Sequence, residues 1–315
     1  MATQIPKTTY SGAIHEITLG TGDAAVTVGG ASAYAFHDFE GERPRKPLIA
    51  FDVPDTEPEN WPPALKAQYA DVWGDPAAWA KKCVEEFGAD LIHIDFCGTD
   101  PNGADKDVAH AVAVAKAVAA AVTVPIVAWG TSNVEKDTEV LRGVSEALRG
   151  RRAGIGPIQD TNYKQIGASV ISDGHVAINS TPIDINLAKQ LNILTENLGV
   201  PVDAVLIDPT TGGLGYGLEY SYTVMERCRQ AALTQQDAKL QYPLYCNLGK
   251  EIWKVKEAAL TVEQAPTMGD PEQRGIVMEA VTATSLLLAG ADVLVMRHPE
   301  AVKLVREMIE TLPAK

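Results

Sequence analysis

Asp75-Pro76-Ala77-Ala78-Trp79-Ala80-Lys81-Lys82-Cys83-Val84-Glu85-Glu86-Phe87-Gly88-Ala89-Asp90-Leu91-Ile92-His93-Ile94-Asp95-Phe96 reads as a helix, a turn and a strand in succession. Asp75 is a capping side chain, and Pro76 suits the first helical position because its missing N–H would have no partner there. Ala80, Cys83, Val84 and Phe87 fall on one helical face, and Gly88 ends the run. Beyond it the period drops to two, with Ile92, Ile94 and Phe96 on one face and His93 and Asp95 on the other.

The same rhythm continues on both sides. Short β-rich runs stand at 48–53, 90–96, 124–129, 154–158, 175–179, 204–208, 243–247 and 292–296, the fourth being weak. Helical patterns cover 108–121, 135–148, 186–198, 222–234, 275–288 and 300–311. Strand–helix repeats build parallel sheets, and this many close into a (β/α)8 TIM barrel of α/β class. An open, doubly wound sheet is the alternative architecture. Ahead of the barrel, 14–19 and 26–28 alternate around the turn Gly20-Thr21-Gly22-Asp23. The expected organisation is a β extension over residues 1–46 and one barrel over 47–315. Two connections, 55–74 and 247–270, are longer than linking requires, a length usual in functional or partner-facing loops.

With 27 Lys and Arg against 41 Asp and Glu, the formal net charge is -14. That charge disfavours nucleic acid and anionic membranes, both of which select basic surfaces. No stretch approaches the roughly 18 apolar residues of a membrane helix, and the first ten residues lack the apolar core of a signal peptide. A cytoplasmic protein is expected. Cys83, Cys97, Cys228 and Cys246 stand singly, without zinc or iron–sulfur spacing. The six histidines show no metal-ligand spacing, and His93 beside Asp95 reads as an interior histidine.

Alternation places polar residues at the interior ends of several strands. With Ile49 and Phe51 outward, Asp52 faces in, as do His93 and Asp95. Val176 and Ile178, read as outward, would leave Asn179 inside; Val205 and Ile207 leave Asp208 inside, and Asn247 closes the seventh strand. Barrel sites are built from such strand ends, and three carboxylates with two amides make a hydrogen-bonding array rather than a nucleophile with its base. The loops that follow, Gly98-Thr99-Asp100-Pro101-Asn102-Gly103, Gly130-Thr131-Ser132-Asn133 and Pro209-Thr210-Thr211-Gly212-Gly213, offer hydroxyls, amides and close backbone approach. They suit a large neutral ligand decorated with amides.

These segments, with Phe36-His37-Asp38-Phe39-Glu40-Gly41-Glu42, Val134-Glu135-Lys136-Asp137, Asp160-Thr161-Asn162-Tyr163, Pro182-Ile183-Asp184-Ile185-Asn186 and Leu214-Gly215, form an ordered series along the chain. The series resembles the small, delta-type subunit of the corrinoid/iron–sulfur protein of the acetyl-CoA decarbonylase/synthase system. The resemblance implies a barrel related to pterin-dependent methyltransferases, paired with a large subunit that carries the iron–sulfur cluster. A corrinoid would lie between the two subunits, above the barrel mouth. Such a pair takes a methyl group from methyltetrahydrofolate through a separate methyltransferase and delivers it to acetyl-CoA synthase, so this chain would be a carrier subunit without catalysis of its own.

From loop position, Thr99, Asp100, Asn102, Thr131, Ser132, Asn133, Thr210, Thr211 and Gly212 are the expected corrinoid-facing residues. A competing reading makes the barrel a methyltransferase that binds a methylated pterin on Asp52, Asp95, Asn179, Asp208 and Asn247. A third makes it a docking platform for the large subunit.

Overall fold

The computed structural model describes residues 5–312. Two short strands come first, β1 (Ile17–Leu19) and β2 (Val26–Val28), paired antiparallel as a hairpin. Eight further strands pair in parallel and close on themselves: β3 (Leu48–Pro54), β4 (Leu91–Asp95), β5 (Ile126–Trp129), β6 (Gly154–Ile158), β7 (Val176–Ser180), β8 (Val205–Asp208), β9 (Leu244–Asn247) and β10 (Ala291–Met296). β10 pairs with β3 and β9, which shuts the ring, so the open-sheet alternative is excluded.

The helices in chain order are α1 (Pro63–Ala67), α2 (Pro76–Glu85), α3 (Val108–Ala121), α4 (Val134–Ala147), α5 (Tyr163–Asp173), α6 (Ile185–Leu198), α7 (Leu218–Thr234), α8 (Gly249–Ile252), α9 (Lys256–Ala259), α10 (Pro271–Leu288) and α11 (Pro299–Thr311). Asp75 caps α2 as its sequence suggests, accepting from the N–H groups of Ala77 and Ala78. Two of the short helices, α8 and α9, and the single turn α1 lie within the long connections 247–270 and 55–74. The pattern did not delimit α5. Its central Gly167 weakens the helical signal, yet lets α5 approach α6 closely, since a Cβ there would meet Leu198 at 2.7 Å.

The core has two shells, as alternation requires. Ile49, Phe51, Val53, Ile92, Ile94 and Phe96 point out against the helices. Ala50, Leu91, Val127, Leu206, Val293 and Val295 fill the interior, and from below Ile17, Leu19 and Val28 of the hairpin join them. The N-terminal extension is therefore the floor of the barrel, which leaves the strands' carboxyl ends open as its mouth.

One interior assignment is reversed. Val176 and Ile178 face inward and Ala177 outward, so Asn179 points to the helix layer. The rule that bulky residues face out fails here because the neighbouring strand presents Gly154 and Gly156 to the interior. A Cβ on either would stand 3.0 or 2.9 Å from Ile178, so that side chain occupies the space the glycines leave. The amide of Asn179 instead donates to Asn192 Oδ1 and Thr195 Oγ1 of α6, at 2.8 and 3.0 Å.

Candidate functional site: the barrel mouth

Asp52, His93, Asp95, Asp208 and Asn247 are all brought to the interior end of the strands and are buried. Carboxylates so deep need partners, and two cations supply them. Arg297 follows directly on β10, on the interior parity of Val293 and Val295. Its Nε donates to Asp52 Oδ2 at 2.6 Å, and its Nη2 lies 3.7 Å from Asp95 Oδ2. Lys250, on α8, reaches back with Nζ 3.0 Å from Asp95 Oδ2. Burial opposes charge on Arg297, Lys250 and Asp95, but the attraction of their neighbours prevails. Despite burial, Asp52 and Asp95 hold the Arg297 pKa above its ordinary value, and Asp95 raises that of Lys250. Despite burial as well, Lys250 and Arg297 hold the Asp95 carboxyl below the usual range. Two anions and two cations thus form a neutral layer under the mouth.

His93 completes that layer without charge. Burial pushes its pKa down to about 4, and Nδ1 shares a hydrogen bond with the Tyr245 hydroxyl at 2.5 Å. Its other nitrogen stands 3.4 Å from the Asn247 amide nitrogen. The sequence reading missed Arg297, Lys250 and Trp129. Arg297 and Trp129 were readable from strand parity, whereas Lys250 comes from the turn after β9 and carried no periodic signal.

Arg297 is held from outside too. Its guanidinium lies over the Trp61 ring, 4.7 Å from the centroid, and its carbonyl accepts from the Tyr69 hydroxyl. Its backbone N–H donates to Glu279 Oε1 at 2.6 Å, while Glu279 Oε2 accepts from the His298 N–H and from Trp253 Nε1. Burial pushes Glu279 up to about 7 against those three donors.

Above the ion layer opens a cleft of about 260 Å³, with Trp129 on one wall, Thr131, Ser132, Ser180, Thr210 and Gly212 around it, and the charged side chains of Lys250, Glu251 and Lys254 also lining it. Asp208 and Asn247 stand within it. Asp208 accepts from Ser180 Oγ at 2.7 Å and from the Thr210 N–H at 3.0 Å, and burial raises its pKa to about 6. Asn247 Oδ1 is buried with no partner.

Of the nine loop residues expected to face a ligand, Thr131, Ser132, Thr210, Thr211 and Gly212 line this cleft. The Asp137 carboxylate shapes one side, accepting from Thr131 N–H, Thr131 Oγ1 and Ser132 N–H at 2.8, 3.0 and 2.8 Å. Thr211 is buried, its hydroxyl donating to the Asn247 carbonyl. Thr99 is also buried, and its hydroxyl is committed to the Phe96 carbonyl, which removes it from the rim. Asp100 and Asn102 lie outside the cleft in a turn where Asp100 Oδ1 accepts from the Asn102 N–H, and Asn133 caps α4 through the Lys136 N–H.

The raised carboxyl makes a direct prediction. Asp208 ionises near pH 6 when folded and near pH 4 when unfolded, so the folded chain binds the extra proton between those values. Stability from this group is full below pH 4 and is lost as pH rises to 6. In Asp208→Asn that loss disappears, so the variant should gain about 2–3 kcal/mol relative to the parent across the window. Urea unfolding at pH 4.5 and 7 measures it, and parallel curves for the two proteins would refute the assignment.

The family model for the CO dehydrogenase/acetyl-CoA synthase delta subunit matches residues 16–312. The chain belongs to that family. The delta subunit of the acetyl-CoA decarbonylase/synthase complex of Archaeoglobus fulgidus is 37% identical, over 98% of this chain and 70% of its own length. The Methanopyrus kandleri delta subunit is 36% identical over 92% of this chain and 71% of its own. Delta-subunit relatives thus carry length beyond what this chain matches. Solved structures show the same fold: dihydropteroate synthase of Xanthomonas albilineans has a TM-score of 0.60 at 16% identity, covering 95% of this chain and 100% of that one. The Thermus thermophilus enzyme gives 0.58 at 16%, covering 94% and 100%. Among the described residues of this delta-family chain, no helix is long and apolar enough to cross a membrane.

Proposed function

We propose that this chain is the small subunit of a heterodimeric corrinoid/iron–sulfur methyl carrier. It covers one side of a corrinoid (a cobalamin-type group) held between it and a large subunit that bears the iron–sulfur cluster. The methyl group arrives from a methyltetrahydrofolate:corrinoid methyltransferase and leaves to acetyl-CoA synthase, as in the reductive acetyl-CoA pathway. Membership in the delta-subunit family supports an assembly of this kind.

The observation that carries the reading is the chemistry of the rim. A corrin ring is edged with carboxamides, and neutral hydroxyls and amides pair with those without stripping water from a charge. Here Ser132 presents a hydroxyl, the Thr131 and Thr210 hydroxyls, whose protons go to Asp137 and the Thr181 carbonyl, present acceptor lone pairs, and the buried, unpartnered Asn247 Oδ1 is a further acceptor awaiting an N–H. Gly212 is open, its missing Cβ having only Thr210 Cγ2 near it at 3.5 Å. These are the residues that would hold the group. When bound, the corrinoid supplies the cobalt that carries the methyl; this chain orients it and controls access.

Co-expression with the large subunit, followed by size exclusion with visible absorbance recorded on the peak, tests the reading. A one-to-one complex carrying corrinoid is expected, with retention about tenfold weaker when Ser132 and Thr210 are both alanine. A barrel eluting alone and colourless would refute it.

A second reading, direct pterin binding, draws on Asp208, Asn247 and the Trp129 wall of the cleft. Asp52 and Asp95 are committed to Arg297 and Lys250, and Asn179 is turned to α6, which leaves only two of its five residues. Saturable heat on titration with methyltetrahydrofolate would favour it.

A further inference from the structure

After β8 the chain runs Gly212-Gly213-Leu214-Gly215-Tyr216-Gly217 into α7. Gly215 and Gly217 take φ of 89° and 149°, which side-chain-bearing residues rarely adopt, so this path requires them. The loop is pinned at its base. The N–H groups of Tyr216 and Gly217 both donate to the Gly213 carbonyl, at 3.0 and 2.8 Å, and Gly215 packs against Val255 of the next mouth loop.

The loop follows Gly212, which lines the cleft, and its Gly215 lies near Val255, the residue after the cleft-lining Lys254. In it Tyr216 is 92% exposed, and Tyr220, in the first turn of α7, is 60% exposed. No other large apolar side chain among those exposed in the described residues reaches the exposure of Tyr216. A rigid turn that holds an aromatic ring in water, beside a cleft with an unpartnered buried acceptor, has the form of a contact waiting for a surface.

We propose that Tyr216 is the residue of this chain that packs against the ring of the bound corrinoid, with the hydroxyl and amide groups of the cleft taking its peripheral arms. This rests on the methyl-carrier reading above. A corrin macrocycle is large and largely apolar on its faces, so an aromatic ring adds contact area beside the hydrogen bonds. Trp129 lies in the cleft wall, whereas Tyr216 is the highly exposed aromatic side chain on the loop that follows Gly212. Its role is positioning: the ring limits tilt of the macrocycle, while the glycines set the ring's height.

The test uses the heterodimer prepared with and without corrinoid. Tyrosine nitration by tetranitromethane, mapped by mass spectrometry, should modify Tyr216 in the isolated barrel and in the corrinoid-free heterodimer. Corrinoid should protect it. Tyr216→Ala should release corrinoid about tenfold faster on gel filtration, whereas Tyr216→Phe should retain it like the parent, because the face and not the hydroxyl makes the contact. Protection by the large subunit alone would assign the ring to the subunit interface and overturn the proposal. Full reactivity in a corrinoid-loaded heterodimer would overturn it while leaving the carrier reading intact. A heterodimer that takes up no corrinoid would end both.

Discussion

Arg297→Met should cost about 3–5 kcal/mol of folding stability, the usual consequence of removing one partner from a buried ion pair. The arginine is the main counter-charge of Asp52, whose Oδ2 it meets at 2.6 Å, and a second one for Asp95. Without it, Asp52 keeps His93, 3.8 Å away and neutral by burial, and the more distant charge of Lys250, while its Oδ1 already lacks a partner. Arg297→Lys should fall between parent and Met, since an ammonium keeps the charge but gives up the planar fit over Trp61. The decisive comparison is the double variant Asp52→Asn with Arg297→Met. Removing both charges should recover more than half of the single loss. Urea unfolding of the four proteins measures this, and a single-variant loss below about 1 kcal/mol would show that the ion layer does not bear on folding.

Trp79→Ala is expected to cost a similar 3–5 kcal/mol and to disturb the mouth from a distance. Trp79 is fully buried on α2 and lies at the centre of an aromatic cluster. It stacks on Tyr69 with centroids 4.4 Å apart and meets Trp61 edge-on at 5.3 Å and Trp73 at 5.5 Å. Those neighbours belong to the long connection after β3, and Trp61 and Tyr69 are the residues that hold Arg297 from outside. Emptying the centre should therefore loosen that connection and weaken near-ultraviolet circular dichroism along with stability. Trp79→Phe makes the control. The indole N–H has no partner, so a smaller ring loses volume without losing a hydrogen bond and should cost clearly less than the alanine variant. Equal losses for Ala and Phe would remove packing as the cause.

Much of this architecture is written locally. The capped start at Asp75 and Pro76, the glycine stop at Gly88 and the alternation through His93 and Asp95 each follow from short-range chemistry, and each is found in the fold. Asp52 and Asp208 were placed inside by the same alternation, because bulky neighbours face the helices in β3 and β8. Asn179 was misplaced because its orientation is decided on another strand. The glycines of β6 make room for Ile178, and no property of 176–180 records that. Similar reasoning explains the missing cations. Asp52 and Asp95 are visible as polar ends of apolar strands, but their need for Arg297 and Lys250 appears only when strands remote in sequence share one layer.

Ring closure has a consequence for how the chain is made. β3 is the first barrel strand to leave the ribosome, and one of its edges pairs with β10, the last. Throughout the synthesis of everything between them, that edge presents unpaired N–H and C=O groups flanked by Ile49, Phe51 and Val53. It is a template for any extended chain nearby. Translation that stalls before Ala291–Met296 would therefore release a sticky sheet with two open borders rather than a shortened barrel.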